Sequence, residues 1–347
     1  MDKAKKIREG EVLDWQKLEV YLRSALPDFT NDEMSVAQFH GGHANLTYLL
    51  KFGETELVLR RPPFGKIAPG AHDMKREYRV LSKLYKYFPQ APRAYLFCDD
   101  ESIIGSKFVV VERKTGVVIR KELADCFKTF DRAEERITDA MIKAQAELHL
   151  VDYKKADLEK LGRPEGFLER QLKGWTMRWQ LSKYEDNKAI DDILNWLEKD
   201  IPTTQRYSIV HNDIKPDNCQ FQPDNPDKVT ALFDWDMCTL GDPLLDFATT
   251  LSYWPDKRFS KEKYEYLPVA LKGNFPPKSF LIEKYQAYTQ LDLSQLLWYE
   301  VFAYLKVAII AQQLYKRYLD GESTDERMKR FGKSGEAIIE LVITMIR

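Results

Sequence analysis

The chain has 347 residues, 44% of them hydrophobic and 31% charged, which suits a globular protein of two domains, or of two lobes around a cleft. Lys and Arg total 53 against 54 for Asp and Glu, so no net positive field recruits nucleic acid or an anionic membrane. The sequence has no apolar run of about 18 residues, the length that crosses a bilayer, and its charged beginning does not resemble a secretory signal. We therefore expect a cytoplasmic protein without nucleic-acid or membrane partners. The oligomeric state stays open.

The first third of the chain predicts a small antiparallel sheet interrupted by one helix. A short amphipathic helix is predicted over 13–26, and another, with apolar residues at helical spacing, over 72–87. Runs of β-branched and apolar residues bounded by glycine or proline predict the strands. These runs cover residues 36–39, 46–52, 57–60, 93–98 and 108–112.

Beyond residue 116 the pattern becomes mainly helical. A β-rich stretch at 208–233 interrupts it, and helical spacing returns over 296–318 and 328–346. The predicted organisation is an N-terminal nucleotide-binding lobe at 1–112, a hinge at 113–116 and a helical C-terminal lobe at 117–347. The last of these carries the catalytic loop and a large helical insertion.

The most specific pattern in the chain is the loop from His211 to Asn218, which reads HNDIKPDN. It fits the catalytic-loop pattern H-x-D-x-x-x-x-N of kinases, and Asp234 follows Asn218 by 16 positions, where a metal-binding aspartate is expected. Asn, Asp and Pro also cluster in ordinary turns, which would explain either motif alone. Both motifs in this order, with a plausible hairpin between them, favour phosphoryl transfer.

Each polar group of these motifs has a role in that chemistry. Phosphoryl transfer needs positioning and charge neutralisation more than covalent help from the protein. We assign catalysis to Asp213 and Lys215, with Asp213 accepting or orienting the proton of the attacked hydroxyl. Asn218 and Asp234 are predicted to hold Mg²⁺ against the phosphates of ATP.

Residues upstream of this loop match the nucleotide side of the same reaction. Gly41, Gly42 and Asn45 lie between the first two predicted strands, where glycines let backbone amides approach phosphate. Arg60 stands on the third strand where kinases have a lysine, and Glu77 on the next helix is its predicted partner. Taken singly, each charge could also be an ordinary solvated residue.

The hinge is predicted to bind the adenine base. Its connector runs from Glu112 to Lys114, and we expect backbone groups there to recognise the base. The side chains of these two residues should then matter little for nucleotide affinity. The sequence does not distinguish ATP from GTP.

Together these motifs predict an α+β, protein-kinase-like two-lobed fold, with a small antiparallel-sheet N-lobe and a larger, mainly helical C-lobe. The chain resembles the aminoglycoside phosphotransferase and choline kinase family, most closely the phosphotransferase-like domain also found fused to acyl-CoA dehydrogenases. The resemblance runs nearly end to end, through residues 41–48, 58–63, 76–78, 147–149, 211–218, 234–235, 241–243 and Asp246.

The resemblance implies roles for several residues. Asp213 would be the catalytic carboxylate, Asn218 and Asp234 the magnesium ligands, and Arg60 a phosphate contact. Asp246 resembles a structural acid that braces the catalytic loop. Two positions depart from the family, namely Asn212, where glycine is commoner, and Asp236, where Glu is usual and whose role stays open.

The sequence favours a small-molecule acceptor over a protein. Protein kinases carry a long activation segment after the metal-binding aspartate, whereas here Gly241 follows Asp234 by seven residues. Candidate substrate residues are Trp175 and Arg178 in the helical insertion and Tyr299 and Glu300 further on. Each could instead be an ordinary core aromatic residue or a charged residue with a buried stem and a solvated end.

The chemistry of the acceptor is predicted from the residues around Trp175. Basic side chains beside an indole suit an anion on an apolar body, so we expect a hydroxy acid or its acyl-CoA thioester. The alternatives are a kinase of aminoglycosides or of choline or ethanolamine, and a nucleotide-binding pseudokinase without turnover. A protein or lipid kinase is a weaker candidate.

Overall fold

The computed structural model describes residues 4–29, 31–40, 45–65, 72–183, 186–259, 271–322 and 326–347. In chain order the strands are β1 Met34–Phe39, β2 Leu46–Phe52, β3 Thr55–Arg61, β4 Ala94–Cys98, β5 Phe108–Glu112, β6 Val117–Val118, β7 Ser208–Val210, β8 Cys219–Gln222, β9 Asn225–Leu232 and β10 Thr239–Gly241. The α-helices are α1 Trp15–Ala25, α2 Met74–Leu84, α3 Ala133–Leu150, α4 Phe167–Ser182, α5 Lys188–Lys199, α6 Pro243–Ser252, α7 Lys278–Thr289, α8 Leu296–Leu319 and α9 Arg330–Ile346.

The strands and helices predicted from periodicity are confirmed, with small shifts at their ends. The predicted helix over 72–87 begins later, at Met74, because the Asp73 side chain accepts a hydrogen bond from Arg76 N and caps it. The short strands β6 and β10 were not predicted, since two or three residues show no alternation. Within the described ranges no helix is both long and apolar enough to cross a membrane.

The chain divides into two compact units. The first comprises residues 1–119, 151–161 and 216–239, and the second comprises 120–150, 162–215 and 240–347. The hairpin at 216–239 lies in the same unit as the N-terminal sheet, although the two are about 100 residues apart in the sequence.

The first unit is built on an antiparallel sheet with strand order β1-β2-β3-β5-β4. Helix α1 buries Leu18 and Leu22 in a core shared with residues of this sheet, such as Tyr48 and Phe108. Burial of these large side chains is the main favourable term for this unit. The register places Arg60 of β3 opposite Val109 of β5, so the sheet determines where that cation lies.

A second sheet in the same unit has the order β6-β8-β9. Its hairpin pairs Cys219, the first residue of β8, with Leu232, the last of β9. Antiparallel pairing therefore brings the start of one strand next to the end of the other. Asn218 directly precedes β8 and Asp234 follows β9 by one intervening residue, so both lie at the same end of the hairpin.

The second unit consists mainly of helices around α8, which is buried along most of its length. Each residue of the segment Gly241-Asp242-Pro243 has a structural reason to precede α6. A Cβ on Gly241 would lie 2.6 Å from the Phe167 ring, so only glycine fits there. Asp242 caps α6 by accepting from Leu244 N at 2.8 Å, and Pro243 starts the helix.

One turn into α6, the buried carboxylate of Asp246 holds the predicted catalytic loop. Its Oδ2 accepts from His211 N at 2.9 Å and its Oδ1 from Asn212 N at 2.7 Å. His149 of α3 donates from Nε2 to Oδ2 at 2.9 Å, and its Nδ1 lies 2.7 Å from the Tyr285 hydroxyl. Burial opposes ionisation of Asp246, but these hydrogen bonds outweigh it and lower the pKa of the carboxyl.

The same loop contains a residue with left-handed backbone. Asn212 has φ 69°, a conformation that glycine adopts freely and asparagine tolerates better than most residues. The left-handed backbone therefore suits the Asn that stands here, at a position where the resemblance leads us to expect glycine.

Replacing Tyr285 by Phe should lower the free energy of unfolding of the second unit by about 1–3 kcal/mol, because the buried His149 Nδ1 loses its partner. The ring stack on Phe247, with centroids 3.9 Å apart, would remain. Tyr288→Phe is the matched control on the same helix, because its hydroxyl donates to Asp139 Oδ1 in a less buried position. Urea unfolding followed by tryptophan fluorescence measures both variants. Equal losses would contradict a special contribution from the His149 contact.

Candidate functional site

The first unit holds a buried arginine between two carboxylates. Arg60 Nε lies 3.1 Å from Glu77 Oε1, and Nη2 donates to Asp234 Oδ1 at 2.8 Å. Glu77 is in α2, so the ion pair between the third strand and the following helix that the sequence predicted is present. This pair matches the strand lysine and helix glutamate that kinases align on the phosphates.

Burial and neighbouring charge determine the electrostatics around Arg60. Desolvation raises the pKa of Glu77 to about 7, because the Arg60 charge offsets only part of it and Asp234 and Asp236 add to it. For Arg60, burial favours the neutral form, yet the nearby carboxylates outweigh it and raise the pKa of the guanidinium. Arg60 thus stays cationic among a surplus of carboxylates, an excess of negative charge that suits a divalent cation.

The two predicted metal ligands are brought to the same end of the β8–β9 hairpin. Phe233 N donates to Asn218 O at 2.9 Å. Because Asp234 directly follows Phe233, this bond keeps Asp234 near Asn218. Asp234 itself has φ 71°, a strained conformation for a residue other than glycine. Trp235 anchors the turn, since it is fully buried and its Nε1 donates to Leu232 O at 2.8 Å.

The donor chemistry at this turn fits magnesium. One carboxylate and one amide oxygen are typical protein ligands of Mg²⁺, which takes its remaining ligands from water and phosphate. Protein zinc sites are built mainly on Cys sulfur and His nitrogen, which these two positions do not supply. Across the described ranges, no three His, Cys, Asp or Glu side chains are gathered as a metal-binding cluster.

Asn45 is linked to Arg60 and Asp234 by His72, a residue that the sequence analysis did not single out. The Asn45 Oδ1 atom accepts a hydrogen bond from His72 Nδ1 at 2.8 Å. Burial lowers the pKa of His72, while the Asp234 charge raises it and Arg60 lowers it further. No local pattern marks His72, which has φ 57° just before α2. The other predicted phosphate contacts, Gly41 and Gly42, lie outside the described residues.

At the predicted hinge, Glu112 is engaged in the sheet. Its backbone N–H donates to Arg93 O at 2.7 Å, and its carboxylate accepts from Arg93 N at 3.0 Å. The same carboxylate lies 2.9 Å from Lys114 Nζ. The N–H of Glu112 is therefore already used within the sheet, so backbone recognition of a base there would use its carbonyl or the residues that follow.

In the second unit, the carboxylate of Asp213 is held at both oxygens. Lys215 Nζ lies 2.5 Å from Oδ2, and the Tyr253 hydroxyl donates to Oδ1 at 2.9 Å. The Lys215 ammonium also lies 5.4 Å from the centre of the Tyr253 ring. The structure thus brings the two predicted catalytic residues together and adds Tyr253, which follows Asp213 by 40 positions and has no sequence signal of its own.

The predicted substrate residues fall into separate groups of contacts. Arg178 lies over the Trp175 ring, with Cζ 4.6 Å from its centre. Tyr299 is 1% exposed and donates to Asp242 Oδ2 at 3.0 Å, so its hydroxyl supports the cap of α6. Glu300 forms ion pairs with Lys278 at 3.1 Å and Arg258 at 3.5 Å.

Comparison with known proteins agrees with this geometry. The sequence pattern of the phosphotransferase enzyme family matches residues 35–269. The chain is 32% identical over 329 residues to acyl-CoA dehydrogenase family member 11 of Mus musculus, covering 90% of this chain and 41% of that protein. It therefore spans about two-fifths of the length of this relative.

Solved structures show the same fold. A protein from Ralstonia eutropha, described as a candidate aminoglycoside phosphotransferase, superposes with a TM-score of 0.80 at 28% identity, covering 96% of this chain and 98% of that one. Choline kinase from Cryptosporidium parvum superposes with a TM-score of 0.62 at 15% identity, covering 96% and 98%. The predicted α+β, protein-kinase-like fold and the family resemblance are confirmed. The chain belongs to the phosphotransferase enzyme family.

Proposed function

We propose that the protein transfers the γ-phosphoryl group of ATP, with Mg²⁺, to a hydroxyl of a small hydroxy acid or its coenzyme A thioester. The observation that carries the transfer step is the carboxylate of Asp213, held by Lys215 and Tyr253 in a loop that Asp246 anchors through its backbone. A carboxylate held in this way matches the positioned base of kinases.

Asp213 would act on the acceptor. An ionised carboxylate accepts hydrogen bonds, so it can bind the acceptor hydroxyl and direct its oxygen toward phosphorus. As the oxygen–phosphorus bond forms and the bond to the leaving ADP oxygen breaks, the hydroxyl proton passes to the carboxylate. Lys215 places a positive charge beside Asp213, and Tyr253 keeps the second carboxylate oxygen in place.

Arg60, Asn218 and Asp234 would serve the nucleotide. The Arg60 guanidinium can bind phosphate oxygens with two N–H groups, and Glu77 holds it from the side of α2. Asn218 and Asp234 would hold Mg²⁺, which when bound neutralises charge on the β- and γ-phosphates. Asn45 and the hinge from Glu112 to Lys114 stay predicted nucleotide contacts.

The acceptor class rests on the residues around Trp175. A site for polycationic aminoglycosides needs clustered carboxylates, and a choline site needs an aromatic cage with acidic support. Arg178 lies on the Trp175 ring instead, a pairing that suits a carboxylate on a hydrocarbon chain. Among the substrate predictions this pair favours a hydroxy acid, whereas Tyr299 and Glu300 make structural contacts.

Replacing Asp213 by Asn should lower kcat by on the order of 100-fold or more, the scale of general-base contributions. Nucleotide binding should change little, since the predicted nucleotide contacts do not include Asp213. Asp192→Asn, at an exposed position on α5, is the control and should keep full activity. Coupled measurement of ADP release gives kcat, and full activity in the Asp213 variant would remove it from this role.

Replacing Asp234 by Asn should uncouple nucleotide binding from magnesium. Asparagine tolerates the left-handed backbone at this position, so the turn should fold. Calorimetric titration should show that the gain in ADP affinity on adding Mg²⁺ falls by at least about tenfold, the scale of perturbed metal sites. Affinity for metal-free ADP should not fall, because a carboxylate that repels phosphate is lost. An unchanged magnesium effect, or turnover without any divalent cation, would contradict the assignment.

A panel of acceptors tests the substrate class directly. ADP release should be fastest, by kcat/KM, with hydroxy acids or their coenzyme A esters and slowest with choline and aminoglycosides. The physical reason is the sign of the charge beside Trp175, which repels cationic acceptors. Preference for choline or for kanamycin-like compounds would overturn the acceptor class while leaving the kinase in place. Absence of ADP release with every acceptor would indicate a pseudokinase.

A further inference from the structure

Lys306 is a buried cation that has no counter-ion among the residues the structure describes. It lies in α8, its residue is 8% exposed, and within the described part of the chain it makes no hydrogen bond or ion pair through its ammonium. Its Nζ lies 5.8 Å from the centre of the Trp175 ring. Arg178, which is exposed, contacts the same ring, and its guanidinium likewise has no carboxylate partner among the described residues.

The acidic groups that face Lys306 are already occupied. Asp246 of α6 and Asp213 of the catalytic loop favour its charge from a distance, while Arg178 of α4 opposes it. Asp246 accepts from His149 and from two backbone amides of the catalytic loop. Asp213 is held by Lys215 and Tyr253. Neither carboxylate forms an ion pair with Lys306.

A second buried lysine in the same unit, Lys278, provides a comparison because its charge is paired with carboxylates. Lys278 at the start of α7 has an 11% exposed side chain, comparable with the burial of Lys306. It lies 2.9 Å from Asp256 Oδ2 and 3.1 Å from Glu300 Oε1, and it donates to the Tyr304 hydroxyl at 2.5 Å. Lys278 is therefore paired with carboxylates inside the fold, whereas Lys306 has no such partner within the described ranges.

Burying an unpaired ammonium is costly, and placing a second cation on the same indole adds like-charge repulsion. An anion bound between the two would offset both effects. Indole also offers an apolar face on which a hydrocarbon chain can lie. A carboxylate on a short carbon chain meets all of these conditions.

We propose that Lys306 and Arg178, together with Trp175, form an anion-binding subsite that holds the carboxylate of the acceptor while Asp213 takes its hydroxyl. This inference rests on the proposed function, because it concerns the acceptor of the same reaction. Arg178 is exposed and would meet the carboxylate first, with its guanidinium fork matching the two oxygens. Lys306, being buried, would hold it in place.

The subsite has a consequence for pH. Burial lowers the pKa of Lys306 to about 8, with Asp246 and Asp213 opposing the shift and Arg178 adding to it. The ammonium is charged below this pKa and neutral above it. Affinity for a carboxylate should therefore fall as the pH rises through about 8, and a bound anion should raise the pKa in turn.

Lys306→Met keeps the length of the side chain and removes its charge. We expect the ratio of kcat/KM for a hydroxy acid to that for the corresponding hydroxy amide to fall at least tenfold. The loss of affinity for the acid between pH 7.5 and 9.5 should also disappear. Arg178→Met, at an exposed position that tolerates substitution, should lower the same ratio at least threefold. Lys316→Met, on the same helix but paired with Asp320, is the control and should keep the wild-type ratio.

Binding of the non-reactive deoxy acid, measured by calorimetry on the full chain with and without MgADP, separates this inference from the proposed function. Weaker binding in Lys306→Met supports the subsite whether or not the wild type turns over. Equal changes for acid and amide would overturn it. Weakening confined to coenzyme A and its esters would also overturn it, because the anion held would then be a coenzyme phosphate. Circular dichroism checks that each variant is folded.

Discussion

The buried carboxylate of Asp246 is the contact on which the arrangement of the predicted catalytic loop depends. It accepts backbone N–H groups of His211 and Asn212, so it determines the path of the chain into the loop. A charged acceptor bonded to backbone amides is among the stronger hydrogen bonds in proteins. Its own position depends on α6, which Asp242 caps, and on His149 of α3. Helix capping, burial and loop geometry are thereby linked in one network.

The buried cations of the protein differ in the carboxylate partners that surround them. Arg60 is buried between Glu77 and Asp234, and Lys278 between Asp256 and Glu300. Both groups are neutralised within the fold, as buried charges normally are. Arg60 differs from Lys278 in lying beside a predicted metal ligand, so its contacts can change when nucleotide binds. Lys306, whose ammonium has no counter-ion among the described residues, can bind an anion without giving up an existing ion pair.

Backbone strain occurs within both motifs of the proposed chemistry. Asn212 and Asp234 both have positive φ, and both are residues whose short polar side chains tolerate that region. Asn212 is held by Asp246, and Asp234 lies in a turn that the buried Trp235 anchors. The strain thus persists because surrounding contacts determine the backbone more strongly than local preference does.

The sequence by itself determined the fold class, most strands and helices, and the candidate residues Arg60, Asp213, Asn218 and Asp234, because periodicity and motif spacing are local properties of the chain. Other features became visible only in the tertiary structure. Tyr253 meets Asp213 across 40 positions and His149 meets Asp246 across 97, and such contacts leave no local pattern. The sequence also gives no sign that Lys306 lacks a counter-ion in the described part of the chain, since a residue's partners depend on how helices pack and on which side chains they bury.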